Sequence, residues 1–219
     1  MYKNKLSVLA IFATGLLLNS NAFAENGESY IDVSYGVTAH TVDVANATSA
    51  HTSSNTTIDT DDDGYAIILG TYLTDSISGE VSYVNLGTTQ IKGDGGDIDS
   101  FTLNGTANPV DFTAAETIER EITGFGFGGA FHLGSGSSFD AALRGGALMW
   151  DTSGTKASNT TANDFVNNNL FNSGVDPYIG LSVKYKFNML SIGLGYDSYG
   201  LNGWEDDATL TSLSLGGVF

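Results

Sequence analysis

No cysteine occurs anywhere in the 219 residues, and proline occurs only twice. An exported chain without disulfides must draw its stability from a full-sized fold. Scarce proline leaves nearly every backbone N–H able to donate, as extended ladders require. Positive charge is almost as scarce: 8 Lys and Arg stand against 25 Asp and Glu, a net charge of −17. That balance excludes the basic footprint of a nucleic-acid-binding protein. Long apolar runs are missing as well, apart from one near the N-terminus. There Leu6 to Leu18 follows Lys3 and Lys5 and precedes Ala22-Phe23-Ala24. The run is too short to cross a bilayer as a helix, which takes about 20 residues. A charged start, an apolar stretch and a small-x-small site read as a cleaved secretory signal peptide over 1–24. One domain, 25–219, would follow. It carries about −19, because the leader holds 2 of the basic residues and none of the acids.

What the chain does have is glycine, tyrosine and phenylalanine, at 28, 10 and 12 residues. It also has period-2 alternation, the mark of a two-faced strand. Eight segments show it: 29–40, 64–73, 77–90, 121–133, 138–150, 176–187, 190–200 and 209–219. Most have about the ten residues that a tilted strand needs to cross a bilayer. Their connectors sort by position. "TDS", "GSGS" and "NM" are tight, whereas 41–63, 91–120 and 151–175 are long and 201–208 is intermediate. A membrane barrel sorts its loops in this way, with tight turns at one end and long loops at the other. The fold expected is all-β: an eight-stranded antiparallel up-and-down transmembrane β-barrel of a Gram-negative cell outer membrane.

Charge assigns the faces. In the sixth segment Ile179, Leu181, Val183, Tyr185 and Phe187 share one parity, and Lys184 and Lys186 the other. A lysine facing lipid near the midplane costs about 2–4 kcal/mol. The odd set therefore faces lipid and the lysines face inward. By the same rule Phe125, Phe127, Phe131 and Leu133 point out in the fourth segment, opposite an inward row of Gly and Ala. Leu190, Ile192, Leu194 and Tyr196 point out in the seventh. Consecutive Ile67, Ile68 and Leu69 leave the second segment's faces open. Aromatics near strand ends form an expected interfacial girdle: Tyr30, Tyr35, Tyr83, Phe131, Phe139, Trp150, Tyr185, Phe187, Tyr196 and Tyr199.

Three stretches, "SISGEVSYVNLG" (76–87), "RGGALMWDTSG" (144–154) and "VDPYIGLSVKYKF" (175–187), resemble the third, fifth and sixth strands of the OmpA-like transmembrane domain family. The resemblance implies a structural outer-membrane barrel, often surface-antigenic or adhesive and sometimes weakly pore-forming. Its buried glutamate matches Glu80. The family's last-strand arginine has no counterpart among Ser212, Ser214, Gly216 and Val218, and the peptidoglycan-binding domain of longer members has none either. The class also implies that Phe219, the C-terminal aromatic, is read by the barrel-assembly machinery.

The inward parities collect Asp32, Glu80, Asp140, Arg144, Lys184, Lys186 and Asp197. Buried charges are tolerated only in pairs. The set therefore reads as a salt-bridge plug, or alternatively as a gate in which Glu80 trades between Arg144 and a lysine. Asp59, Asp61 and Asp63 with Gly64 match the first half of an EF-hand loop, but the position for its bidentate Glu is Gly70. A solvated acidic rim, or at most a weak surface site for a divalent cation, remains. "GFGFGG" (124–129) lacks the strand-to-helix setting of a dinucleotide fingerprint, so close packing in a barrel explains it better. The sequons at Asn46, Asn55, Asn104 and Asn159 read as chance products of Asn/Thr-rich loops. His40 at the outer rim has no identifiable partner for acyl transfer. The function expected is structural and surface-interacting, not enzymatic, with no cofactor. The expected partners are lipid, lipopolysaccharide and an extracellular ligand or host surface. A narrow passive pore is the alternative, and a lipid-modifying enzyme the third reading.

Overall fold

The computed structural model describes residues 27–42, 56–96, 110–134, 136–202 and 205–219. Period-2 alternation becomes strand throughout. β1 is Ser29–Val42, β2 Thr57–Asp59, β3 Asp61–Thr74, β4 Ile77–Gly93 and β5 Glu116–Leu133. β6 is Phe139–Thr155, β7 Ser173–Phe187, β8 Leu190–Gly200 and β9 Glu205–Val218. One helix, α1, spans Asn163–Leu170. Every pairing between strands is antiparallel, in the order β4-β3-β1-β9-β8-β7-β6-β5, and a β4–β5 ladder closes the ring at eight strands. Ser29 and Phe219 exchange two backbone hydrogen bonds at the β1–β9 seam. β2 stands outside the ring's count. It continues the line of β3 and pairs with Gln90 to Lys92 of β4.

The exposure pattern is that of a protein turned inside out. Phe125, Phe127, Leu143, Ile179, Leu181, Val183, Leu194 and Leu213 are each about half or more exposed, while Asp32, Glu80, Asp140, Arg144, Lys184 and Asp197 are buried. A soluble domain leaves no belt of this size in water. Hydrocarbon is the solvent for this face, and a closed ring leaves no unpaired edge inside it. The second segment's faces are now fixed. Ala66, Ile68, Gly70 and Tyr72 point in, and Leu69 and Leu73 point out. Three members of the expected girdle are corrected. Tyr30, Trp150 and Tyr199 are 3–4% exposed and lie in the lumen, because each shares the inward parity of its strand. Tyr35, Phe131, Phe139, Tyr185, Phe187 and Tyr196 do face outward.

At the long-loop end the wall is uneven. β4, β5 and β6 pair on past the others, to Gly93↔Glu116 and Glu119↔Thr155. A bulge between Asn85 and Thr88, with Gly87 at φ +79°, lets β4 change which parity faces in. Below it Ser78, Glu80 and Val84 are buried; above it Thr89 and Ile91 are. Only glycine takes that backbone conformation without strain. The raised wall and α1 enclose a second apolar core of Ile91, Val110, Phe112, Ile118, Ala157, Val166 and Leu170. Arg120, 1% exposed, donates to the Leu170 carbonyl at 2.5 Å and so caps the helix's C-terminal end. Glu116 accepts from both Ser158 groups and from the Asn159 backbone at 2.6–2.9 Å. Part of the connector expected as open loop is thus an ordered cap.

Residues 1–26, with the expected signal peptide, and the sequons at Asn46, Asn55 and Asn104 lie outside the described residues.

Candidate functional site

The lumen is the place where this chain concentrates chemistry. Its polar residues lie toward the short-turn end, and room for them comes from small neighbours. Asp32 sits level with Gly216, Glu80 with Gly70 and Gly128, Arg144 with Gly180, and Lys184 with Gly193. A Cβ on Gly180 would come within 2.8 Å of the Arg144 Cγ atom, and one on Gly216 within 2.7 Å of the Ser191 hydroxyl. Glycines on one strand are therefore the space into which the neighbouring strand's ions fit.

The structure places Asp32, Glu80, Asp140, Arg144, Lys184, Lys186 and Asp197 on the lumen side of the wall. Lys184 pairs with Asp32 across the lumen and lies 5.5 Å over the Tyr30 ring. Arg144 pairs with Asp197 at 3.6 Å and donates to Ser182 at 3.2 Å. Lys186 pairs with Asp140 at 3.1 Å, and its side chain is 8% exposed. Glu80 departs from the alternative reading, a gate in which it trades partners. It accepts a 2.5 Å hydrogen bond from the Tyr30 hydroxyl, while Arg144 and Lys184 have carboxylates of their own. An exchange of partners would break pairs already made inside a low-dielectric space.

Several members of this layer were not singled out from sequence, although parity places them inward. His132 Nδ1 is 3.1 Å from Asp140, and its Nε2 is 3.0 Å from the Ser78 hydroxyl. Tyr72 packs on His132 and Tyr30 with centroids 4.9 and 5.2 Å away. Higher up, Asp176 accepts from Trp150 Nε1 at 2.7 Å and from the Asn202 side chain.

Above the ions the lumen turns largely apolar, with Asp176 level with Leu148. Val84, Leu86, Ile122, Leu148, Trp150, Tyr178, Tyr199, Leu201 and Leu210 form one buried cluster. The lumen thus carries its ion pairs toward the short turns and this largely apolar cluster toward the long loops. The "GFGFGG" glycines serve this packing: a Cβ on Gly124 would meet Leu148 at 2.9 Å, and one on Gly128 the Tyr178 hydroxyl at 2.7 Å.

The remaining candidates do not assemble a site. Asp59, Asp61 and Asp63 are strung along an extended chain, about 6.8 Å apart at alternate positions, and Asp63 accepts from Tyr35 at 2.6 Å. Among the described residues no three Asp, Glu, His or Cys side chains gather to hold a metal ion. A strand cannot wrap its carboxylates around one ion as the EF-hand loop does. His40 is buried and bonds the Leu86 carbonyl at 2.8 Å, the contact of a lumen residue. Phe219 is 62% exposed at the foot of the seam.

The geometry defines the class: a closed, eight-stranded transmembrane β-barrel. The outer membrane protein OprG from Pseudomonas aeruginosa is similar in structure over 91% of this chain and 99% of its own, at 10% identity and TM-score 0.51. The N-terminal β-barrel domain of Pseudomonas aeruginosa OprF aligns over 89% and 100%, at 14% identity and TM-score 0.48. Neisserial surface protein A aligns over 87% and 97%, at 11% identity and TM-score 0.49. The likeness to OprG shows a shared fold, that of an outer-membrane β-barrel. No protein-family model and no curated protein matches the sequence.

Proposed function

We propose that this chain is an outer-membrane barrel that does not conduct, and that acts through the surface it presents at the long-loop end. The observation behind this is the apolar layer packed inside the wall, from Leu86 and Ile122 to Leu148 and Leu210. An ion crossing it would shed most of its hydration shell with few polar groups to replace it, since Asp176, level with Leu148, is already engaged by Trp150 and Asn202. The ionic layer beneath adds a second barrier of paired charges. The working surface is then the raised β4–β6 wall, its cap and the acidic connectors.

In this reading residues 1–24 direct export and are removed, and Phe219 guides assembly. Lipid and lipopolysaccharide surround the barrel, and the long-loop end meets an extracellular ligand or host surface. The chain as a whole carries −17, and of its 8 Lys and Arg residues Arg120, Arg144, Lys184 and Lys186 are spent on internal contacts. A cationic partner suits such a surface better than an anionic one.

Planar-bilayer recording tests the closed lumen. The purified barrel is expected to give no unitary conductance steps, whereas Leu148→Gly with Leu210→Gly, which hollows the apolar layer, is expected to admit them. Steps from the parent protein would overturn the proposal in favour of a narrow pore.

A further inference from the structure

We propose that Ser78, His132 and Asp140 form a nucleophilic triad at the short-turn end of the lumen, with small carboxylic esters as its substrate class. The Ser78 hydroxyl oxygen is 3.0 Å from His132 Nε2, and His132 Nδ1 is 3.1 Å from Asp140 Oδ2. This is the nucleophile–base–carboxylate chain that activates a serine, which is recognised by geometry and role and not by sequence order. Three successive strands of the ring, β4, β5 and β6, supply one member each.

The protons are placed for the task. Asp140 Oδ2 also receives the Lys186 ammonium at 3.1 Å, which keeps the carboxylate anionic. A carboxylate on Nδ1 fixes the tautomer that carries hydrogen there, leaving the Nε2 lone pair toward Ser78. The Tyr30 hydroxyl is 2.9 Å from the Ser78 oxygen but gives its own proton to Glu80. The Ser78 hydroxyl has one proton for two neighbours, the Tyr30 oxygen and His132 Nε2, and it is directed to Nε2 in the arrangement that reacts. Tyr72, tilted against the imidazole at 4.9 Å, holds the ring in place.

Place in the strand supplies access. Ser78 is the second residue of β4, His132 the last but one of β5, and Asp140 the second of β6. The triad thus belongs to the first inward layer above the turns, below both the Arg144–Asp197 pair and the apolar cluster. Its members are only 1–2% exposed, so entry requires the Lys186 side chain to swing off Tyr72, and that restricts the substrate to a small acyl group.

In the reaction Ser78 oxygen bonds to the ester carbonyl carbon while His132 Nε2 takes the hydroxyl proton. The carbonyl electron pair moves to oxygen, where the Tyr30 hydroxyl, released from Glu80, donates to the oxyanion. Collapse breaks the bond to the alcohol oxygen, which leaves with the proton from His132. Water then gives a proton to His132, attacks the acyl-serine, and releases the acid as the proton returns to Ser78. Asp140 is a positioning residue throughout.

The test uses the folded full barrel in detergent micelles. A fluorophosphonate is expected to form one adduct, mapped to Ser78 by peptide mass spectrometry, and p-nitrophenyl acetate is expected to be hydrolysed. Ser78→Ala and His132→Gln should each lower that hydrolysis about 100-fold or more. Ser212→Ala, an inward serine on β9, should leave it unchanged. The labelling needs no variant, so misfolding of a mutant cannot obscure the answer. Absence of a Ser78 adduct on protein with an intact β-sheet circular dichroism spectrum would overturn the proposal, as would Ser78→Ala hydrolysing at the parent's rate. Conductance plays no part in either readout, so this inference and the closed lumen fail separately.

Discussion

Replacing Lys184 by Met is expected to destabilise the barrel by about 3–5 kcal/mol, the usual cost of stranding a buried charge. Lys184 reaches from β7 across the lumen to Asp32 on β1, and both are buried. Met fills much of the same volume, so packing is largely kept and the loss isolates the charge. The cation–π contact with Tyr30 goes with it. Urea unfolding of the protein in lipid vesicles, followed by intrinsic fluorescence, measures the change. The companion variant, Asp32→Asn with Lys184→Met, is expected to recover most of the loss, because replacing both ions removes the uncompensated charge. An unchanged unfolding midpoint for Lys184→Met alone would mean that the pair does not stabilise the barrel.

Leu181→Lys, three positions away on the same strand, is expected to cost about 2–4 kcal/mol for the opposite reason. Leu181 is 55% exposed. At the surface of a soluble protein such a change stays within about 0.5 kcal/mol. In a bilayer the ammonium must reach for the headgroups or remain in hydrocarbon. Leu181→Ala, which shortens the side chain without adding charge, is the control and should cost far less. The same vesicle-based unfolding measures all three forms. A Leu181→Lys cost no larger than that of Leu181→Ala would show that this face does not meet lipid.

Much of the architecture was legible because two periodicities coincide in the sequence. Alternation located the eight barrel strands, and the lysines at 184 and 186 decided which parity faces lipid. Errors arose where residues were counted without their parity. Tyr30 shares its parity with Asp32, and Trp150 shares its parity with Arg144, so both belong to the lumen and not to a girdle. The same rule would have placed His132 and Asp176 inside. The strand order β4-β5-β6 also follows from sequence in an up-and-down barrel. The vertical register, which sets Ser78 beside His132, does not. Nothing local marks how far one strand is staggered against the next. The parity change in β4 was hidden for a related reason, since Gly87 is one glycine among 28 and only its φ of +79° distinguishes it. α1 was missed because Asn163–Leu170 reads NDFVNNNL, poor in strong helix formers, and is held by the second core into which Val166 and Leu170 pack.

One fluorescence comparison tests the central claim, that apolar side chains meet hydrocarbon while ions fill the middle. In a Trp204→Phe background the chain keeps a single tryptophan, Trp150, which is 3% exposed and faces the lumen. Adding Leu181→Trp with Trp150→Phe moves that single reporter to the outer face. In vesicles of lipid brominated at mid-chain, the tryptophan at 181 is expected to be strongly quenched and Trp150 only weakly. Equal quenching of the two, or stronger quenching of Trp150, would contradict the inside-out barrel.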